Sequence, residues 1–377
     1  MYADPVKNGK LYYNGSPALT TAFALEALAL YADAGQPRTS RTAAGRTARE
    51  HSAAATALTL AKRQNRRLDP ELRAATSQLL DKLAASDSGP EIIALPQRFN
   101  RSLVKPLEPG SRSENFLNNL SVANINGWLA YVIYDDFLDG TGKPSLLPAA
   151  NAAARRSFDG FLEAIADDQA FRSLVRETFD AIDGANAWEQ AHCRFERNSG
   201  RLLVGALPDY GRLSKLAERS MGHTLAPLAV LVATGSRPGE KPFKSVQAAL
   251  SHYLIARQLN DDLHDWQQDL ENGHVSYVVG RIISDLGLRP DGHDVRDLLP
   301  KARRQFWHET LPALCRTVRE QIRLGRQALD TSGLLVQNNV IALLLDGFEQ
   351  VIDETLDSQH QAISFLRHYN KQEVMKR

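Results

Sequence analysis

The sequence predicts an all-α protein, and two kinds of observation support that prediction. Long stretches repeat apolar residues at helical spacing, whereas short alternating stretches joined by glycine turns, which mark hairpins, are nearly absent. Serine or aspartate directly before proline precedes two of the stretches, and this pair places a capping side chain ahead of a residue suited to the first helical turn. Of the 377 residues, 43% are hydrophobic, which is enough for a sizeable core.

The first predicted helices lie near the N-terminus. A serine–proline pair at 16–17 predicts the start of a helix over residues 18–32. An aspartate–proline pair at 69–70 predicts the start of another, which ends near Ala85. The stretch 35–46, rich in Gly, Pro, Arg, Ser and Thr, separates the first helix from the next.

A second run of turn-forming residues, at 86–90, predicts a domain boundary near residue 90. We therefore expect a small N-terminal helical segment over residues 1–90 and a helical bundle over residues 91–377. Long periodic stretches come after the boundary, at 114–139, 146–166, 211–234, 241–271, 301–331 and 335–369. Six or more long helices without a convincing strand predict an α-bundle. Gly222 and Pro227 predict a kink in the third of these helices.

Two clusters of aspartate carry the functional signal, and each fits the pattern DDxxD: Asp135, Asp136 and Asp139, and Asp261, Asp262 and Asp265, with Asp269 one turn further on. Side chains four apart share a helix face, so the second cluster predicts one acidic stripe through Asp261, Asp265 and Asp269. Stacked like charges cost a helix about 0.2–0.5 kcal/mol per pair, which favours a bound cation. Carboxylate ligands without cysteine or a calcium loop suggest Mg²⁺, usually completed by water and substrate phosphates.

These motifs resemble those of class I isoprenoid synthases, the superfamily of prenyltransferases, squalene/phytoene synthases and class I terpene cyclases. INGWLAYVIYDDFLDG at 125–140 and ARQLNDDLHDWQQDLENGHVSY at 256–277 carry the resemblance, which extends over roughly 96–370. It implies an all-α helical bundle in which two aspartate-rich helices face each other across a deep apolar pocket. It also implies a Mg²⁺-dependent enzyme that ionises a prenyl diphosphate.

The resemblance implies roles for particular residues. All seven aspartates would be metal ligands. The catalytic residues would be Asp135, Asp139, Asp261, Asp265 and Arg219. The apolar stretch before the first cluster would shield a carbocation from water, with Trp128 and Tyr131 lining the substrate site. Magnesium avoids imidazole, so we expect His264, inside the second cluster, to face sideways.

Basic residues would bind the diphosphate. The superfamily has a broken helix with a diphosphate-sensing arginine before the second cluster, and this position corresponds to Arg219, with Lys215 one turn earlier. Near the C-terminus, Arg367 and Tyr369 resemble the Arg-Tyr pair of some terpene cyclases. We expect Arg257 and Lys241 to lie on the surface.

The second cluster has features of two branches of the superfamily, the terpene cyclases and the chain-elongating prenyltransferases. Terpene cyclases have a hydroxyl and a glutamate where this chain has Asp265 and Asp269. Chain-elongating prenyltransferases have a second DDxxD, as here, but they also need Gly-Gly-Lys-x-Arg before the first cluster and Arg-Arg-Gly after it. Both basic motifs are absent from the chain, and Lys143 is a partial stand-in. We therefore favour a terpene synthase that acts on one prenyl diphosphate, with a prenyltransferase or a squalene/phytoene synthase-like enzyme as the alternative.

Other readings stay open. The N-terminal stretch Leu11–Gly35 resembles an α-barrel repeat of class II terpene cyclases, but their DxDD signature is absent and no chemistry is assigned to it. One Glu-x-x-His pair, Glu189 and His192, lacks the second pair that a di-iron bundle needs. A Mg²⁺-dependent hydrolase and a non-catalytic helical scaffold are further alternatives.

Composition bounds the compartment and the partners. A formal net charge of +1 gives no basic field for nucleic acid. Two cysteines argue against a disulfide framework or a thiolate zinc site. We expect no transmembrane segment and no signal peptide, and hence a cytoplasmic protein. A homo-oligomer is compatible with the sequence.

Overall fold

A computed structural model describes residues 41–85, 92–138, 140–194, 197–198, 201–203, 206–288 and 292–375. The described part is an α-helical bundle, which confirms the predicted all-α class. The helix predicted over 18–32, the repeat-like stretch Leu11–Gly35 and Asp139 lie outside the described residues.

The first half of the helices contains the first aspartate cluster. They are α1 (Arg41–Asn65), α2 (Pro70–Ala85), α3 (Leu95–Arg101), α4 (Ser111–Leu138), α5 (Leu147–Ala164, after a 3-10 turn at Pro144–Leu146) and α6 (Gln169–His192). The rest are α7 (Ser214–Glu218), α8 (Gly222–Ala233), α9 (Lys241–Asn272), α10 (Tyr277–Asp285), α11 (Val295–Gln305), α12 (Leu311–Ser332) and α13 (Val340–Met375). A π-helical turn, Phe306–Thr310, joins α11 to α12.

A small antiparallel sheet, which the sequence did not predict, lies beside the bundle. Strand β1 (Arg197–Asn198) pairs with β2 (Arg201–Leu203), and β2 pairs with β3 (Gly292–Asp294). Its strands have two or three residues each, too short for the alternating pattern by which a strand is recognised in a sequence.

Most long helices lie where periodicity placed them, but the helix predicted over 211–234 is broken. Its two parts, α7 and α8, are separated by a turn at 219–221, where the backbone N–H groups of Ser220 and Met221 bond to carbonyls three residues earlier instead of four. Pro227 lies inside α8, at its sixth residue, where its missing N–H removes one intrahelical hydrogen bond.

Helix α6 was missed by the sequence analysis, although a start signal was present. The side chain of Asp168 caps it by accepting a hydrogen bond of 2.8 Å from the backbone N–H of Phe171. Its buried residues Phe171, Val175 and Thr178 recur at helical spacing on one face, so the periodicity was also present in the sequence. This helix contributes Glu189 and Asn186 to the candidate active site.

The core has two parts. In the larger one, α9 lies centrally and packs against α7, α10, α12 and α13, and the indole of Trp266 stacks on Phe306 at 4.9 Å between ring centroids. In the smaller one, α1 and α2 pack on α4 and α5, with Leu80, Ile125 and Ile133 fully buried. The back of the first aspartate helix is therefore covered by the N-terminal helices.

Helix α8 is almost entirely apolar and is buried on nearly every side from Thr224 to Leu231. It has 12 residues and runs through the middle of the bundle. Within the part of the chain that the structure describes, no helix is both long enough and apolar enough to cross a lipid bilayer.

Helices α4 and α5 cross at small residues. A Cβ at Gly127 would lie 2.8 Å from the Ser157 hydroxyl, and one at Gly160 would lie 3.0 Å from Ala123 Cβ. Only glycine permits this approach, since it lacks a side chain. Ser157 is 1% exposed, and among the described residues its hydroxyl has no hydrogen-bond partner.

We expect Ser157→Ala to stabilise the protein by about 1 kcal/mol, because it removes a buried hydroxyl that gains no hydrogen bond. Urea unfolding measures the change. The matched control is Ser121→Ala on α4, where the buried hydroxyl donates to Gln97 at 3.1 Å. This control should lose about 1 kcal/mol. An equal loss of stability in both variants would contradict the prediction.

Candidate active site

The two aspartate clusters lie on facing helices, at the C-terminal end of α4 and in the second half of α9. The side chain of Asp261 is 50% exposed, yet desolvation by its surroundings raises its pKa; Arg257 opposes this rise, and Asp265 and the half-buried Asp135 add to it. Asp136 is exposed, and Asp139 lies outside the described residues. The structure thus brings Asp135 and Asp261 to the two sides of one gap.

Arg219 occupies the turn between α7 and α8 and closes the gap from one side. Its guanidinium forms ion pairs with Asp135 and Glu189, and its Nε donates to Asn186 Oδ1 at 3.3 Å. The side chain is 12% exposed. Burial would lower the pKa of Arg219, but the carboxylates of Glu189 and Asp135 outweigh it and raise that pKa. Arg219 is therefore permanently charged beside the first cluster.

Glu189 is the buried centre of this network, and it was not among the site residues predicted from the sequence. Besides Arg219, its carboxylate pairs with Arg194 at 2.9 Å and lies 3.7 Å from the imidazole of His274. His274 in turn lies 3.1 Å from Asp269 of the second cluster. The only signal in the sequence was the Glu-x-x-His pair, which pointed to a different chemistry.

That di-iron reading does not fit the geometry. Glu189 faces the two arginines, whereas His192 is exposed, stacks on Trp188 and bonds to its backbone carbonyl at 2.9 Å. The two side chains of the motif therefore point to different surroundings. Neighbouring Cys193 is fully buried against Tyr210, as a small hydrophobic residue would be.

The second cluster is split between two faces of α9. Asp261 and Asp265 are exposed on the side of the gap, whereas Asp262 is buried and feels the charge of Asp269. The predicted stripe through Asp261, Asp265 and Asp269 is therefore wrong. Each residue of an α-helix advances about 100° around the axis. Asp269, eight residues after Asp261, therefore points about 80° away from it, but it points only about 20° away from Asp262, seven residues earlier. His264 is exposed and bonds to the Asn260 carbonyl at 2.7 Å, facing sideways as expected.

A small polar cavity surrounds Asp262. Its lining includes Glu189, Arg219, Lys215, His274 and Ser276, and Gln258 donates to Asp262 at 2.8 Å. Within the described ranges, the Ser276 hydroxyl has no hydrogen-bond partner. Burial raises the pKa of Asp262 to about 7, and Asp269 adds to the effect. Lys215 also pairs with Glu218 at 2.6 Å and lies over the Trp188 ring.

A pocket with mostly apolar walls lies between α4, α5, α6 and α8, with about 720 Å³ of unfilled volume including its mouth. Trp128 and Tyr131 line it, as predicted from their spacing before Asp135. Burial raises the pKa of the Tyr131 phenol, which stays neutral. Asp135 and Arg219 lie at its edge, so the charged network and the apolar pocket share a boundary.

A second groove reaches the same region from the other side. It lies between α3, α8, α9 and α13, with about 1580 Å³ of unfilled volume, and most of its lining is apolar. Arg98, Arg257 and Asp261 line its polar part. The prediction that Arg257 is a surface residue is wrong: it is half-buried, and its guanidinium lies 3.9 Å from Asp261.

The remaining basic residues are less informative. Lys241 is exposed at the first residue of α9, as expected, and Lys143 is exposed after α4. Arg367 and Tyr369 lie in α13, but their side chains are outside what the structure describes. Their role stays a prediction.

Comparison with known proteins gives a likeness in structure. No protein-family model matches the sequence, and no curated protein matches it significantly. Among solved structures, the chain is similar to geranylgeranyl pyrophosphate synthase from Corynebacterium glutamicum, with a TM-score of 0.59 and 14% sequence identity. The alignment covers 82% of this chain and 93% of that chain.

That likeness shows the fold. The chain has the helical fold of an isoprenyl diphosphate synthase, which confirms the predicted bundle. At 14% identity the likeness does not extend to activity, which has to be argued from the residues of the site.

The donors at the gap fit Mg²⁺ in kind. Carboxylate oxygens are its preferred protein ligands, and the charges of Asp265 and Asp135 both act on Asp261. Among the described residues, which leave out Asp139, no three metal-binding side chains converge on one point. The carboxylate of Asp135 is held by Arg219 instead.

Asp262→Asn should reveal the raised pKa as a pH-dependent difference in stability. Between the ordinary pKa of aspartate and about 7, folded Asp262 holds a proton that the unfolded chain releases, so rising pH costs wild-type stability. We expect the wild type to lose up to about 4 kcal/mol relative to the variant across this window. Urea unfolding of both proteins in EDTA, at about pH 4.5 and about pH 7.5, near the two ends of this window, measures the difference in their free energies of unfolding. A pH-independent difference would contradict the assignment.

Proposed function

We propose that the chain is a Mg²⁺-dependent class I terpene synthase that ionises one prenyl diphosphate, releases diphosphate and cyclises the allylic cation. The observation that best supports this is the shared edge between the apolar pocket and the network of Asp135 and Arg219. An amphiphile with an apolar chain and an anionic head matches both sides of that edge. The prenyl chain would fill the pocket while the diphosphate meets the charges.

The protein's own groups suit departure of the diphosphate. Asp135, Asp136 and Asp139 on one helix, and Asp261 and Asp265 on the other, would hold Mg²⁺, which when bound neutralises charge on the leaving group. Arg219 supplies a planar, permanently charged donor for phosphate oxygens. Glu189 and Asn186 hold that guanidinium when Asp135 turns to its ligand.

The pocket suits the cation that remains. Water would capture an allylic cation, and the apolar walls exclude it. The faces of Trp128 and Tyr131 can stabilise the positive charge by cation–π attraction. The aspartates of the second cluster would have two roles. Asp261 and Asp265 are exposed beside the gap, whereas Asp262 lines the polar cavity and Asp269 contacts His274 of that cavity. Asp262 and Asp269 would therefore support the metal site from behind.

Purified protein should release diphosphate and form hydrocarbon from one allylic diphosphate of suitable length, in Mg²⁺ and not in EDTA. Asp135→Asn and Asp261→Asn should each slow release by about a hundredfold or more, because leaving-group charge is left uncompensated. Diphosphate release and thermal unfolding are measured together. Asp159→Asn, an exposed carboxylate on α5, is the matched control. Wild-type rates in either site variant would remove the residue from the site.

A prenyltransferase is the second candidate, favoured by the second groove. Arg98 and Arg257 line it beside Asp261, where a second diphosphate could lie. Under our proposal, product forms without isopentenyl diphosphate. Product only in its presence would make this candidate correct.

In that case, Arg98→Gln should raise the KM for isopentenyl diphosphate about tenfold, since a hydrogen bond to a charged group contributes about 1.5 kcal/mol. The KM for the allylic substrate should change little. Arg101→Gln, exposed on the same helix, is the control. If both variants changed the KM for isopentenyl diphosphate equally, the second groove would not be its binding site.

A further inference from the structure

His223 is a titratable group in the apolar pocket that the proposed ionisation does not use. It lies in the first turn of α8, one helical turn after Arg219. Its ring borders both the pocket and the second groove, and it meets the Tyr131 ring edge-on at 6.3 Å between centroids. Among the described residues, no group hydrogen-bonds to its ring nitrogens. An imidazole with available nitrogens therefore faces the pocket beside aromatic and aliphatic walls such as Tyr131, while Asp135 and Arg219 lie at the edge of the same pocket.

From this placement we propose that His223 is the proton acceptor that ends the reaction. A carbon next to the cationic centre loses its proton to a ring nitrogen of His223. The electrons of that C–H bond form the new carbon–carbon double bond, and the product leaves as a neutral olefin. The inference rests on the proposed function and adds to it the class of product: an olefin rather than an alcohol.

The surroundings keep His223 ready to accept a proton. Burial, together with the charge of Arg257, lowers the pKa of His223 to about 3, so the ring is neutral before the reaction. A carbocation is a far stronger acid than imidazolium, so the transfer remains favourable. The same surroundings disfavour the imidazolium once formed, and the proton can return to solvent through the second groove.

Other acceptors around the pocket are less suited to this step. Asp135 is engaged by Arg219, and Asp183, although burial and Asp180 raise its pKa, is exposed at the edge of the pocket rather than set in its walls. The Tyr134 phenol donates to Asn151 at 2.6 Å. His223 is set among the walls where the chain would lie.

The test is the product mixture of His223→Phe, which keeps a ring of similar size and removes both nitrogens. It uses the allylic diphosphate that wild type turns over with Mg²⁺. We expect diphosphate release within about twofold of wild type, because ionisation does not involve His223, and at least about a tenfold fall in the ratio of olefin to alcohol. His308→Phe, an exposed histidine far along the chain, should leave the ratio unchanged.

A second variant keeps the test independent of how phenylalanine packs. His223→Ala should show the same fall in olefin, and added imidazole should restore it, because the small base can occupy the vacated space. Unchanged products in both variants with normal release would overturn the role of His223 alone. Loss of release in folded protein would assign His223 to ionisation and also overturn the inference. Wild type that releases no diphosphate from any allylic substrate would overturn the proposed function, and the inference with it.

Discussion

The buried charge of Arg219 is the interaction on which the site depends. A guanidinium taken out of water must be paired, and the structure meets this need with Glu189 and Asp135, which belong to different helices. Glu189 also reaches His274, which contacts Asp269 on the second acidic helix. One chain of charged contacts thus connects α4, α6, the turn before α8 and α9. The two acidic helices keep their relation to each other because the same buried carboxylate is linked to both.

The break in the helix before residue 222 places this charged network next to the apolar pocket. Arg219 lies in the tightened turn at 219–221, where its guanidinium pairs with Glu189. Helix α8 begins directly after this turn, at Gly222. One turn later the chain is apolar on almost every side, with His223 at its entrance. Charged and apolar surroundings therefore meet within about one helical turn, which is the separation between the head and the first carbons of a prenyl diphosphate.

Much of the fold could be predicted from the sequence because long amphipathic helices signal themselves. The boundaries of α2, α4 and α9 were close to those observed, since proline starts and apolar periodicity are local properties. Helix α6 was missed although its capping aspartate and its apolar face are both local signals, whereas the small sheet was missed because its strands are so short. Within the site, Asp135, Asp261, Trp128, Tyr131 and Arg219 were found by motif and spacing. Glu189 and Arg257 were not, because burial against distant residues leaves no mark in their own neighbourhood.

The sequence by itself determined the class of fold, the two acidic helices and the aromatic side chains before the first of them, because each depends on residues within a few helical turns. The tertiary structure alone decided which aspartates of the second cluster face the gap, that Asp262 is buried with a raised pKa, and that Glu189 holds Arg219. It also decided that His223 borders both the pocket and the second groove. The reason is physical: charge pairing, desolvation and cavity walls arise from residues far apart in the chain, which only the packed bundle brings together.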